Sequence, residues 1–221
     1  MLNAGDGYSD VLAFAGKISA TQLNNHIVWY EHANTLDDLG MYEEAVIAYQ
    51  QALKIKADFQ DAWISLGAVL CDHFHKYEEA LDCFDTALRI DYLDDFAWFN
   101  RGNALEHLAR YEDALACYNI VLKLNPDDEN AWYSRGWVLY EMEEYSGAIA
   151  SYDEALKMKP SDDSTWYNKA CCYAVLGNVE KAIDCLQEAM KLSPNQYHQM
   201  VKTESDFDEI RNDARFQEFM L

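Results

Sequence analysis

The stretch from Trp98 to Asp128 nearly repeats itself when the chain is advanced by 34 residues. Trp132, Gly136, Tyr145, Ala148, Tyr152, Ala155 and Pro160 stand where Trp98, Gly102, Tyr111, Ala114, Tyr118, Val121 and Pro126 stood. A further step lands on Trp166, Ala170, Val179, Ala182, Leu186, Ala189 and Pro194. Steps backward reach Trp63, Gly67, Tyr77, Ala80, Phe84 and Ala87, then Trp29, Ala33, Tyr42, Ala45, Tyr49 and Ala52. A period of this length confines the chain to an array of small units, each too short to bury its apolar faces without neighbours.

The register divides the chain into five repeats, 26–59, 60–94, 95–128, 129–162 and 163–196. The second holds one extra residue: Trp63 to Tyr77 takes 14 steps where the other repeats take 13, so the insertion falls in 72–76. Each repeat reads as two helices. Apolar or small residues at positions 4, 7, 8 and 11 make one face of the first helix, as in Trp132, Gly136 and Leu139. Tyr145, Ala148, Tyr152, Ala155 and Leu156 make one face of the second. Small residues at positions 8 and 20 let the two backbones approach, and the aromatic at position 24 fills the space beside them. Pro126, Pro160 and Pro194 share one repeat position just past the second helix, where proline ends it. Acidic pairs open the second helix (Glu43-Glu44, Glu78-Glu79, Glu112-Asp113). A cation closes it (Lys54, Arg89, Lys123, Lys157, Lys191), and both placements suit the helix dipole.

These residues, Trp-x-x-Arg-Gly-x-x-Leu, Tyr-x-x-Ala, Tyr-x-x-Val and Pro at a period of 34, resemble the tetratricopeptide repeat, in five copies over about three-quarters of the chain. The resemblance implies an all-α fold: a right-handed superhelical solenoid of tandem helix-turn-helix repeats, with a concave groove that takes an extended or helical peptide. Departures are small. Position 32 is Ala57 and Tyr92 in the first two repeats, and position 7 is Arg101, Arg135 and Lys169 where the family often has leucine. Residues 1–25 place Tyr8 in the register of a second helix, so they are expected either as a half-repeat helix covering the open end or as a mobile tail. Residues 197–221 leave the register, and their apolar spacing at Phe207, Ile210, Phe216 and Phe219 predicts a capping helix.

Charge and cysteine usage narrow the partner. The net charge is −22, from 17 basic and 39 acidic residues, which disfavours nucleic acid and anionic membrane. No run of apolar residues is long enough to span a bilayer, and the N-terminus lacks the features of a secretory signal. Six cysteines without such a signal point to reduced thiols in a cytoplasm. By repeat the net charge runs −4, −6, −3, −4 and −1, so a basic partner is expected to engage the first four.

Catalytic chemistry finds little support. Cys83, Cys117 and Cys185 share position 23 with Ala48 and Ser151, a slot that wants a small residue. No Cys-x-x-Cys pair is present, the glycines are scattered and no Ser/His/Asp arrangement stands out. His73 and His75, with Cys71 and Asp72, sit in the inserted turn, as an exposed turn or as a metal site. The expectation is no enzyme and no cofactor.

The first-helix positions 2, 5, 6, 9, 12 and 13 point away from the packed face and are the candidate binding face. They include Tyr30, Asn34, Asp38, Phe99, Asn100, Asn103, Glu106, Asn130, Tyr133, Trp137, Tyr167 and Asn168, and none of these positions holds Lys or Arg in any repeat. Asparagine amides can donate to and accept from a peptide backbone. Aromatic anchors beside carboxylates suit a partner with basic and apolar side chains. The competing explanation is that several of the rings pack between neighbouring repeats. Position 6 resembles the asparagine ladder of some peptide-binding members of the family at Asn100 and Asn168, though Glu31, Ser65 and Ser134 break it. The basic clamp by which co-chaperone members grip a carboxylate terminus is missing: Tyr30, Asn34, Ser65, Phe96 and Asn100 occupy its places. The expected function is a non-catalytic adaptor or scaffold that binds a peptide or protein segment. The alternative is self-assembly, in which the end of one copy docks into the groove of another.

Overall fold

The computed structural model describes residues 23–221. Among these residues the chain is all-α, with twelve α-helices, one short 3-10 turn and no strand. The five repeats supply helices in pairs: α1 (His26–Asp38) and α2 (Tyr42–Ile55), α3 (Gln60–Asp72) and α4 (Tyr77–Ile90), α5 (Asp95–His107) and α6 (Tyr111–Leu124). Then come α7 (Glu129–Glu141) and α8 (Tyr145–Met158), and α9 (Asp163–Val175) and α10 (Val179–Leu192). The chain separates into two compact halves, Met1–Ala109 and Arg110–Leu221. In the first, α1 packs on α2, α2 on α3, α3 on α4 and α4 on α5; in the second, the order α6, α7, α8, α9, α10 packs in the same successive way. The expected N-terminal half-repeat lies outside the described residues except for its last three.

Five devices recur at the repeat period. Asp94, Asp128 and Asp162 cap α5, α7 and α9 by accepting from the backbone N–H of Ala97, Ala131 and Thr165. Each tryptophan at position 4 donates its indole N–H to a carbonyl six residues earlier: Leu23, Ala57, Tyr92, Pro126 and Pro160, at 2.8–2.9 Å. That bond pins the first helix to the turn that precedes it. The tyrosine at position 17 reaches the last turn of the next first helix. Tyr42 stacks on His73 at 3.5 Å, Tyr77 on His107 at 4.7 Å, and the Tyr111 hydroxyl donates to Glu141. His75 lies 3.1 Å from the Tyr77 hydroxyl, so the histidines of the inserted turn engage tyrosine rings.

The fourth device is a close approach. A Cβ on Gly67 would stand 2.6 Å from the Phe84 ring, and one on Gly136 would stand 2.5 Å from the Tyr152 ring. Glycine at these two positions is what lets the position-24 ring lie directly over the first helix. The fifth is a left-handed residue at position 15, between the two helices. Gly40 and Gly177 take φ of 75° and 68°, but His75, Ala109 and Glu143 adopt φ of 54°, 54° and 60° with a side chain in place. Each of these three is strained, because Cβ crowds the following carbonyl in that region.

The six cysteines are free and buried. Burial pushes the Cys71, Cys83 and Cys172 thiols up to about 12 and Cys185 to about 11, and raises Cys171 as well. Position 23 is a packing slot, since Ala48, Cys83, Cys117, Ser151 and Cys185 are all buried there.

After the fifth repeat the chain differs from the single capping helix expected over 197–221. Pro194 ends α10 and also opens α11 (Pro194–Thr203) as its first residue, where a missing N–H costs nothing. A 3-10 turn (Ser205–Phe207) and α12 (Ala214–Phe219) follow. Helices α11 and α12 pack on α10, while the 3-10 turn packs on α9. Tyr197, Val201, Phe207, Ile210 and Phe216 join the buried cluster of α9 and α10. Arg211 holds this end together by donating to the carbonyls of Val201, Lys202 and Glu204 and to Asp208.

Three outcomes follow for the purified protein. Gly136→Ala should lower the unfolding free energy by about 1–3 kcal/mol in urea denaturation, through overpacking against Tyr152. Glu143→Gly should raise it by about 0.5–1 kcal/mol, because relief of the left-handed strain exceeds the entropy gained by the unfolded chain. A thiol-reactive dye at pH 8 should label the native protein slowly and label all six cysteines after unfolding.

Candidate peptide-binding face

The candidate residues sit on the first helices α1, α5, α7 and α9, and several of them also meet the paired second helix. In the first half of the chain, Tyr30 is half-buried. Its ring meets Phe59 edge-on at 5.0 Å and Tyr49 at 5.9 Å, and its hydroxyl lies 3.4 Å from Ser65 Oγ. Asn34 Oδ1 accepts from the Tyr49 hydroxyl at 2.8 Å, so this amide already serves the repeat's own second helix. Asp38 is exposed at the end of α1. Beside it, burial raises the Asp37 pKa; His73 opposes that rise, while Asp38 and Asp72 add to it. Phe96 is 59% exposed, and Asn100 Nδ2 donates to the Phe96 carbonyl one turn back. Phe99, Asn103 and Glu106 are half-buried along the same helix.

In the second half, Asn130 is exposed at the start of α7. Tyr133 accepts from Asn168 Nδ2 at 3.1 Å and its ring lies 6.0 Å from Tyr152. The Tyr133–Asn168 link joins position 5 of one repeat to position 6 of the next, as Tyr30 and Ser65 do. Ser65 and Asn168 at position 6 thus have a structural partner, which the 35-residue spacing of tyrosine and polar residue could have revealed. Trp137 stacks with Tyr140 at 5.7 Å and 21°.

Tyr167 is a correction. It was expected on the open face, yet it is 5% exposed. Its ring stacks on Tyr197 at 4.8 Å and meets Phe207 at 6.1 Å. The reason is the end of the array. With no sixth hairpin to cover α9, residues of α11 and the 3-10 turn cover it, and they cover part of the candidate face with it. Asp206 arrives by the same route and accepts from the Tyr140 hydroxyl at 2.6 Å. Nothing in the repeat register points to Asp206.

The cations at position 7 turn away from this face. Arg101 lies over Trp98 at 5.7 Å and bonds Asp85 at 2.7 Å. Lys169 lies over Trp166 at 4.9 Å and pairs with Asp153 at 2.6 Å. Arg135 lies over Trp132 at 5.7 Å and donates to Asn119 and Ser151. Each reaches back to the second helix of the preceding repeat or of its own. The candidate face keeps its aromatic rings and carboxylates. A second feature unforeseen in the sequence is the turn between α4 and α5, where Tyr92 and Leu93 are 59% and 68% exposed in place of the Pro-Asp or Pro-Ser of later turns.

Comparison with known proteins agrees with this architecture. Family profiles described as tetratricopeptide repeat match residues 27–59, 74–129, 108–163 and 164–196. No curated protein matches the chain at a significant level. Among solved structures, the chain is similar to YrrB, described as a TPR protein with an unusual peptide-binding site. The TM-score is 0.69 at 25% identity, over 79% of this chain and 89% of that one. It is similar in fold to MamA 41-end from Desulfovibrio magneticus RS-1, with TM-score 0.73 at 18% identity over 77% and 96% of the two chains. Another MamA crystal structure gives 0.71 at 19% identity over 81% and 95%. No described helix is long and apolar enough to cross a membrane. With matched residues in every repeat and the hairpin array in the structure, the chain belongs to the tetratricopeptide repeat family.

Proposed function

We propose that this protein is a non-catalytic adaptor or scaffold that holds a peptide or protein segment against its first-helix face. The observation that carries the proposal is the separation of charge: position-7 cations are bound to second helices, and the first-helix face keeps aromatic rings and carboxylates without Lys or Arg. A partner segment with basic and apolar side chains complements such a face. Similarity to a TPR protein with a peptide-binding site supports the same class of activity. Exposed Phe96 supplies an apolar anchor, and Asp38 and Asn130 supply polar contacts at points the fold does not use. The chain's own C-terminal segment covers Tyr167, so the partner engages the face ahead of the fifth repeat.

The test is a comparison of two baits in a pull-down from host lysate: the native chain and a variant with Asp38→Asn, Phe96→Ala and Asn130→Ala. A partner retained by the first and lost by the second is expected. Its retention should fall when salt is raised from about 0.1 to about 0.5 M, because exposed charges are screened over a shorter distance. Identical retention by both baits would sink the groove assignment. Capture of further copies of this chain alone would favour self-assembly.

A further inference from the structure

The second half of the chain holds a corner that the binding face alone does not explain. Trp137, Tyr140 and Glu141 lie on one side of α7 at spacings that bring them together over one turn. Tyr140 stacks with Trp137 at 5.7 Å and meets Tyr145 edge-on at 5.7 Å. Asp206, carried in by the 3-10 turn, takes the Tyr140 hydroxyl at 2.6 Å. Among the described residues no Lys or Arg forms an ion pair with Asp206, Glu204 or Glu141. The rings sense this: after burial, the groups that push the Tyr140 pKa up include Asp206 and Glu204, and those acting on Tyr145 include Glu143, Asp206 and Glu141.

The chain shows elsewhere what such a corner takes. Arg101 lies over the Trp98 ring and bonds the carboxylate of Asp85. Lys169 does the same with Trp166 and Asp153. An indole face with a nearby carboxylate is thus filled by a cation twice within the fold. The Trp137–Tyr140 corner has the same two ingredients and no cation of its own.

We infer that the Trp137–Tyr140 ring pair, flanked by Asp206 and Glu141, is a specificity pocket for an arginine side chain of the partner segment. The inference rests on the proposed binding function and names the residue that function selects. A planar guanidinium fits better than an ammonium, since it stacks on a ring and presents several donors to a carboxylate at once. The pocket includes a residue of the C-terminal segment, so the end of the array contributes to recognition as well as to burial.

The experiment is a titration of the full chain followed by the indole N–H signal of Trp137, assigned by its loss in Trp137→Phe. The probes are N-acetyl-Gly-Arg-Gly-amide and its citrulline counterpart, which keeps the shape and removes the charge. The arginine peptide should shift the signal saturably and the citrulline peptide should leave it in place. Asp206→Asn and Glu141→Gln should each weaken the arginine peptide about three- to tenfold, the range of a partly desolvated cation–ring contact with its carboxylate. Glu141 lies outside the C-terminal segment, so its variant tests the pocket even if Asp206→Asn loosens the cap. An unmoved Trp137 signal, equal response to citrulline, or unchanged affinity in Glu141→Gln would overturn the inference. The pull-down variant differs at Asp38, Phe96 and Asn130, so failure of the arginine pocket is distinguishable from failure of the binding function on which it rests.

Discussion

A helical hairpin of this length has more apolar surface than its two helices can hide from water by meeting each other. Every other feature of the chain answers that deficit. Glycine at positions 67 and 136 lets a ring lie directly on the first helix, which closes the hairpin. The tryptophan indole bonds fix the angle at which the next hairpin arrives, and the position-17 tyrosines tie its far end. What remains is the last apolar face, on α9 and α10. It is covered by Tyr197, Val201, Phe207, Ile210 and Phe216. Burying five such side chains is worth on the order of 10 kcal/mol before the entropy of ordering the segment is subtracted. The C-terminal segment is thus a built part of the fold.

The same requirement shapes the proposed binding face. A first helix must give one side to packing, and its cations are spent on bridges to second helices, so its other side is left to rings, amides and carboxylates. Several of those amides also serve the fold. Asn34 holds Tyr49 and Asn168 holds Tyr133, which fixes these side chains within the fold. The closing segment then removes Tyr167 from the face and adds Asp206 to it. One end of the face is set by the stacking problem, while its chemistry is set by the repeat.

Much of the fold was legible because it is periodic. The tryptophans, the small residues, the caps and the closing cations repeat at one spacing, and each has a local physical reason that holds wherever the register holds. Less visible were features that repeat with changing residue types. The left-handed position 15 carries glycine at Gly40 and Gly177 but His75, Ala109 and Glu143 elsewhere, so composition hides a backbone rule that geometry shows. Position 6 resembles a peptide-binding amide ladder at Asn100 and Asn168, yet Asn168, like Ser65, also links neighbouring first helices.

The sequence by itself determined the array: hairpins of 34 residues, their boundaries at proline and aspartate, their acidic surface and the absence of Lys and Arg from the first-helix face. These follow from local propensity and from a pattern repeated often enough to be read. Only the tertiary structure decided how the array ends. Residues 194–221 have no register, and their apolar side chains find partners by shape, on whichever face the last hairpin leaves open. That is why Asp206 meets Tyr140 across 66 residues of chain, and why Tyr167 is buried where Tyr133, at the same register position, is half-buried.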